Sequence, residues 1–262
     1  MDLAQDILAG LRQALGIPKR GAAGAEPFGC GTPELDEPLG GGLARGALHE
    51  IHAEAPADAA AASGFAAALA LRAAGERLIA WARQDFVDVE TGQLYAPGLA
   101  ELGLDPNRLI LIRAPDAAGV LRAGAEALRC PALGAVLVEL WGEPRALDLT
   151  ATRRLALAAG RSGVTLFMIR IGARPLPSAA MTRWSVRAGE SVPLEANAPG
   201  SPAFVAALLR HRAGLAARTW HVEWDRDGRA FKPASPLSRP VVPVPADRPV
   251  VARREARLRR IG

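Results

Sequence analysis

At 262 residues the chain is long enough for one α/β domain with a sizeable core and an appendage. Its formal charge of +5 is local: from Lys232 onward there are eight basic and two acidic residues, so the basic isoelectric point describes the tail and not the domain. Cys30 and Cys130, a hundred positions apart, exclude a disulfide framework or a thiolate metal cluster, and no long uncharged apolar run follows a basic start, so the expectation is a soluble cytoplasmic protein with two buried thiols.

Residues 1–16 read as an amphipathic helix in which Leu3, Ile7, Leu11 and Leu15 form one stripe at i, i+4 spacing. Gly16, Ile17 and Pro18 end it, and 17–27 is a linker rich in Ala and Gly. A stripe tethered in this way packs on its own core or docks on another subunit or partner.

The expected domain, 28–231, approaches its first strand through Gly40, Gly41, Gly42 and Gly46. Residues 47–53 read as that strand, a polar and small loop runs to about Ala62, and an Ala-rich helix continues from Gly64. The order has the outline of a nucleotide site without its chemistry. A working P-loop uses glycines to turn backbone NH groups onto the phosphates, a Lys on the β and γ oxygens and a hydroxyl on magnesium. The two lysines of the chain, Lys19 and Lys232, lie elsewhere, and the loop carries Glu54 and Asp58, whose charges repel a triphosphate. A helix N-terminus still attracts anions, which leaves weak phosphate contact open, but specific nucleoside triphosphate hydrolysis is not expected.

Further along, 77–81 reads as a second strand, 94–102 as a helix closed by Gly103, and 108–112 as a third strand. Asp116 caps a helix to Arg129, 135–138 is a fourth strand, 147–160 a helix with Asp148 and Thr150 as candidate caps, and 164–169 a fifth strand. Continuous apolar strands alternating with helices predict an α/β fold: a mostly parallel sheet covered by helices on both faces. Residues 182–187 alternate as an edge strand should, and 204–209 with 220–224 complete an antiparallel extension. Trp184, Trp220 and Trp224 are read as packing residues of that extension.

His49 and His52 are three apart in one strand, so their rings leave opposite faces and do not share a metal. His211 and His221 are isolated. Ser63 lacks visible His and Asp partners for nucleophilic work. Arg153 and Arg154 are either a solvated helix face or a contact for an acidic partner. In the tail, 232–262, six prolines between Pro233 and Pro249 deny a regular helix and favour extended chain. Beyond them Leu258 and Ile261 are candidate anchors, and Arg253, Arg254, Arg257, Arg259 and Arg260 candidate contacts for an acidic protein surface or a phosphate backbone. With no aromatic residue after Phe231 on which bases would stack, the protein surface is favoured over direct DNA contact. The plain alternative is a disordered, solubilising end.

The succession PLGGGLARGALHEI, LYAPGLAELGLDPNRLILIRAPDAAGVLRAGAEALR and GAVLVELW resembles the RecA core with a degenerate P-loop. The segments ELWGEPRALDLTATRRLALAAGRSGVTLFMIR, PSAAMTRWSVRA and TWHVEWD are similar to the RecA-related ImuA family, over roughly residues 28 to 228. The resemblance places Ala59 at the phosphate-binding Lys, Ala60 at the magnesium hydroxyl, Ala53 and Asp58 at the two loop glycines, and Glu139 at the Walker-B acid. Asp85 lies near the position of the acidic base, and Arg170 at the end of the fifth strand, where a surface or interface role is expected. The resemblance implies an adaptor without catalytic activity, cofactor or metal in SOS-controlled mutagenic translesion synthesis. Its implied partners are an ImuB-like inactive polymerase homologue, an error-prone replicative-type polymerase and RecA, with self-association through the N-terminal helix. Two other readings stand beside it: a divergent RecA-like ATPase or recombinase, and a SulA-like cell-division inhibitor.

Overall fold

The computed structural model describes residues 26–198 and 200–234. Nine strands form one sheet: β1 (Leu48–Ala53), β2 (Leu78–Gln84), β3 (Leu109–Ala114), β4 (Leu133–Trp141), β5 (Thr165–Ile171), β6 (Thr182–Ala188), β7 (Ala203–His211), β8 (Arg218–Asp225) and β9 (Ala230–Pro233). Their order across the sheet is β3-β2-β4-β5-β1-β6-β7-β8-β9. Pairing is parallel from β3 to β6 and antiparallel from β6 to β9. This is a RecA-like core with an antiparallel extension. The helices are α1 (Pro33–Asp36), α2 (Ala59–Ala74), α3 (Asp85–Thr91), α4 (Ala96–Glu101), α5 (Ala117–Ala127) and α6 (Leu149–Ser162).

Every residue of β1 and β5 is buried, as strands covered on both faces require. On one face Ile51, Trp81, Leu137, Phe167 and Trp184 pack under α2. On the other, Leu48, Val136, Val138, Leu166 and Met168 pack with Val120 of α5 and Leu155 of α6. Helix α2 is built largely of Ala, the best helix former, and its small side chains let it lie close to the sheet. At Gly134 a Cβ would stand 2.5 Å from the Cα of Ala74, so the end of this helix and the start of β4 touch only because that position is glycine. Phe65 projects from α2 into Trp184, Phe204 and Phe231, at ring centroid distances of 5.9, 5.7 and 5.1 Å, and so ties β6, β7 and β9 to the parallel half. Asp116 and Asp148 accept from the amides of Gly119 and Ala151 and start α5 and α6; Thr150 lies within α6 and is not its cap.

Several expectations need correction. Strand β6 is not an edge: it lies between β1 and β7, and its alternation of Trp and Arg reflects an internal ion pair rather than solvent. The edges are β3 and β9. Helix α3, from Asp85, was not legible as a helix. The α2 helix begins at Ala59, directly after a 3-10 turn at Pro56–Asp58, so the loop is shorter than the expected run to Ala62. Strand β9 carries the pairing to Pro233, past the expected boundary at 231. Cys30 is buried, and burial pushes its thiol well above the ordinary range, but Cys130 is exposed.

Candidate functional site

The ends of β1, β2 and β4 and the start of α2 meet where a RecA-type core binds nucleotide. Here the loop from Glu54 to Asp58 is closed on itself. Asp58 accepts from the amide of Ala55 (3.2 Å) with one oxygen and from that of Ala188 in β6 (3.1 Å) with the other. The amide of Glu54 donates to the carbonyl of Val186 (3.0 Å). An internal carboxylate thus takes amides of the kind a phosphate-cradling loop offers to its ligand. Glu54 faces Arg187 at 3.6 Å in a half-exposed pair, and Ala59 and Ala60 form the first turn of α2.

Glu139, which the resemblance to the RecA core sets at the Walker-B acid, is completely buried. It accepts from the hydroxyl of Ser63 (2.9 Å), the indole NH of Trp81 (2.9 Å) and Nε of Arg83 (2.8 Å). A buried carboxylate is tolerated when it is paired and its lone pairs are filled, and this one is. Register explains the pairing: Arg83 of β2 stands opposite Glu139 of β4, and Trp81 lies two residues back on the same face. The remaining guanidinium donors of Arg83 reach Asp88, the carbonyl of Gly92 (2.8 Å) and the hydroxyl of Thr91 (3.0 Å), which fastens α3 to the sheet. Asp85 pairs with Arg113 at 3.3 Å, at the protein surface. Above this network lies a cleft of about 490 Å³, lined by Ala59, Ala60, Gly64, Tyr95, Leu99 and Phe204.

On the opposite face of the sheet sits a second network. Arg183 of β6 donates to Glu50 of β1 (2.8 Å) and to the hydroxyl of Ser178 (2.9 Å). Burial pushes the Glu50 carboxyl up, but His52, Arg183 and Ser178 together outweigh it and hold Glu50 below the usual carboxylate range. Arg170, expected at a surface or interface, is instead buried beside this pair, and donates to the carbonyl of Gly142 (3.0 Å). The strand continues to Ile171, which draws Arg170 into the sheet. His49 and His52 leave opposite faces as expected. His49 stands between the carbonyl of Ala44 (2.9 Å) and the hydroxyl of Thr182 (2.8 Å). Because that carbonyl only accepts, Nε2 carries the proton, and burial pushes the imidazole down to about 4.

Of the residues singled out in the sequence, Arg153 and Arg154 are exposed on α6. Leu3, Ile7, Leu11, Leu15, Arg253, Arg254, Arg257, Leu258, Arg259, Arg260 and Ile261 lie outside the described residues. The structure brings together Glu139 and Ser63, each noticed separately, and adds Trp81 and Arg83, which sequence reasoning missed. Their signal was present as the i, i+2 spacing on β2, facing the lone acid of an otherwise apolar β4.

Among the described residues no helix is long and apolar enough to cross a membrane. No family model matches the chain. Two proteins of Caulobacter vibrioides, from strains NA1000 / CB15N and ATCC 19089 / CIP 103742 / CB 15, each named Protein ImuA, are similar to it. Each is 32% identical over 212 residues, an alignment that takes in 75% of this chain and 76% of the relative. At that identity and coverage, the chain belongs to the ImuA family.

Proposed function

We propose that this chain is a non-hydrolysing RecA-fold adaptor in SOS-induced mutagenic translesion synthesis. It acts by contact with an ImuB-like inactive polymerase homologue and an error-prone replicative-type polymerase, with RecA as a further partner. Family membership supports the setting. The observation that carries the mechanism is the occupation of Glu139 by Ser63, Trp81 and Arg83.

A Walker-B acid must have a lone pair free toward the metal's water. Glu139 would have to give up one of its buried hydrogen bonds to Ser63, Trp81 or Arg83 to supply one, and leaving a buried donor unsatisfied costs about 1–3 kcal/mol. At the phosphate positions Ala59 and Ala60 supply neither positive charge nor a magnesium ligand. Asp58 is held on the amide of Ala55 in the loop and on that of Ala188 in β6. The three features act in the same direction: each removes one of the interactions from which triphosphate affinity is built.

ATP turnover of the purified protein, with and without single-stranded DNA, tests this reading. The expected result is no turnover in either case. Hydrolysis stimulated by single-stranded DNA and lost on Glu139→Ala would overturn it.

A further inference from the structure

Helix α6 turns outward a face that its own fold does not use. Thr152, Leu155 and Ala159 face the sheet and are buried. Opposite them lie Leu149, Arg153, Arg154, Leu157 and Arg161, all exposed. Leu157 is 55% exposed and Leu149 44%. Arg154, Arg153 and Arg161 stand at i−3, i−4 and i+4 from Leu157, so the three guanidinium groups are its neighbours on the helix surface.

None of these three arginines forms an ion pair with another described residue, and residues 149 to 162 contain no acidic side chain. Some exposed arginines elsewhere find carboxylates, as Arg113 finds Asp85, Arg174 finds Glu143 and Arg226 finds Glu101, while Arg77 and Arg145, like these three, form no ion pair with another described residue. Three like charges on adjacent turns repel one another. A partner bearing carboxylates relieves that repulsion, and an apolar side chain of the same partner covers Leu157. Leu157 is already about half covered, so covering the rest strengthens binding by roughly fourfold to fifteenfold.

We propose that this face of α6 docks an acidic amphipathic helix of a partner protein. The partner's apolar side chains lie along Leu149 and Leu157, and its carboxylates lie on Arg153, Arg154 and Arg161. Leu149 and Leu157 are about 12 Å apart along the axis at 1.5 Å per residue, so about two turns of partner helix span them.

Charge separates this occupant from the chain's basic tail and from nucleic acid; residues 1–16, with Asp2 and Asp6 against one Arg12, share its chemistry, and peptide binding that appears only once they are deleted would assign the face to them and overturn the proposal. The chain's own tail from Lys232 is basic and is repelled. A second copy offers α3, with exposed Phe86 and Val89, but Asp85 and Asp88 are already paired with Arg113 and only Glu90 is exposed without an ion pair among the described residues, one carboxylate against three guanidinium groups. Nucleic acid would find phosphate contacts here but no aromatic side chain within α6 on which bases would stack.

The inference rests on the adaptor reading, and one experiment separates the two. Full-length protein is titrated into a fluorescein-labelled helical peptide of about 21 residues, long enough to be helical, with Leu on one face and Glu beside it. Controls are the same peptide with Lys for Glu and a single-stranded oligodeoxynucleotide. The acidic peptide is expected to bind, and both Arg153→Glu/Arg154→Glu and Leu157→Ser to weaken it by about tenfold or more, with unchanged melting temperature. No binding, equal binding by the charge-reversed protein, or insensitivity to Leu157→Ser overturns the proposal. So does oligonucleotide binding that the charge reversal removes while the peptide is ignored, or a concentration-dependent mass that it abolishes. ATP turnover measured on the same samples reports on the adaptor reading alone: turnover with peptide binding intact removes that reading and leaves this face standing.

Discussion

Replacing Arg83 with Met tests whether Glu139 is a structural acid. The substitution keeps most of the side-chain volume and removes every guanidinium donor. Glu139 would then be a fully buried carboxylate held by two neutral donors, Ser63 and Trp81, and Asp88 would lose its closest cation, keeping Arg113 at 3.0 Å. Breaking a buried pair from one side costs about 3–5 kcal/mol, which in a domain of this size lowers the melting temperature by roughly 6–20 °C. Removing both charges together, as Arg83→Met with Glu139→Met, leaves no orphan charge in the sheet and should cost less than Arg83→Met alone, since apolar replacement of a buried pair is often close to neutral. The assay is urea unfolding of the wild type, both single variants and the double variant, read as a double-mutant cycle. If Arg83→Met costs less than about 1 kcal/mol, comparable to losing a surface ion pair, then Glu139 is solvated and available to a metal, and the argument from its occupation fails.

Two further perturbations probe other parts of the fold. Phe65→Ala removes the ring that joins Trp184, Phe204 and Phe231 and is expected to cost about 3–5 kcal/mol; a loss below 1 kcal/mol by chemical denaturation would show the antiparallel extension to be held by other means. His49 takes up its proton near pH 6.5 when unfolded but only near 4 in the fold. As pH falls through that window the unfolded state binds more protons, so stability is lost on the acid side by up to roughly 3 kcal/mol. His49→Gln should flatten this slope between pH 6.5 and 4, whatever its cost at neutral pH, and parallel slopes for the two proteins would contradict the assignment.

The parallel half of the fold was legible because β4 and β5 are nearly apolar runs that only a doubly covered sheet accommodates. The Asp116 and Asp148 caps were legible for an equally local reason, an acid placed ahead of a helical pattern. The polar interior was harder to read. Arg170 and Arg183 resemble surface residues in a linear pattern, and only the register of β1 against β5 and β6 brings them to Glu50 and His52. The same holds for Arg83 and Glu139, which are 56 residues apart in sequence and opposite one another in the sheet. Helix α3 was hidden because Asp85, Asp88 and Glu90 read as loop; its single fully buried residue, Val87, is too little to set a period.

The central claim is that the chain works by contact and without nucleotide. It is tested most directly by measuring the affinity of the purified full-length protein for a purified ImuB-like partner by calorimetry, first with no nucleotide and then with ATP and magnesium. The same dissociation constant is expected in both conditions, with no heat of ATP hydrolysis. Binding that appears only with ATP and magnesium, and that Glu139→Ala abolishes in a protein that remains folded, would contradict it.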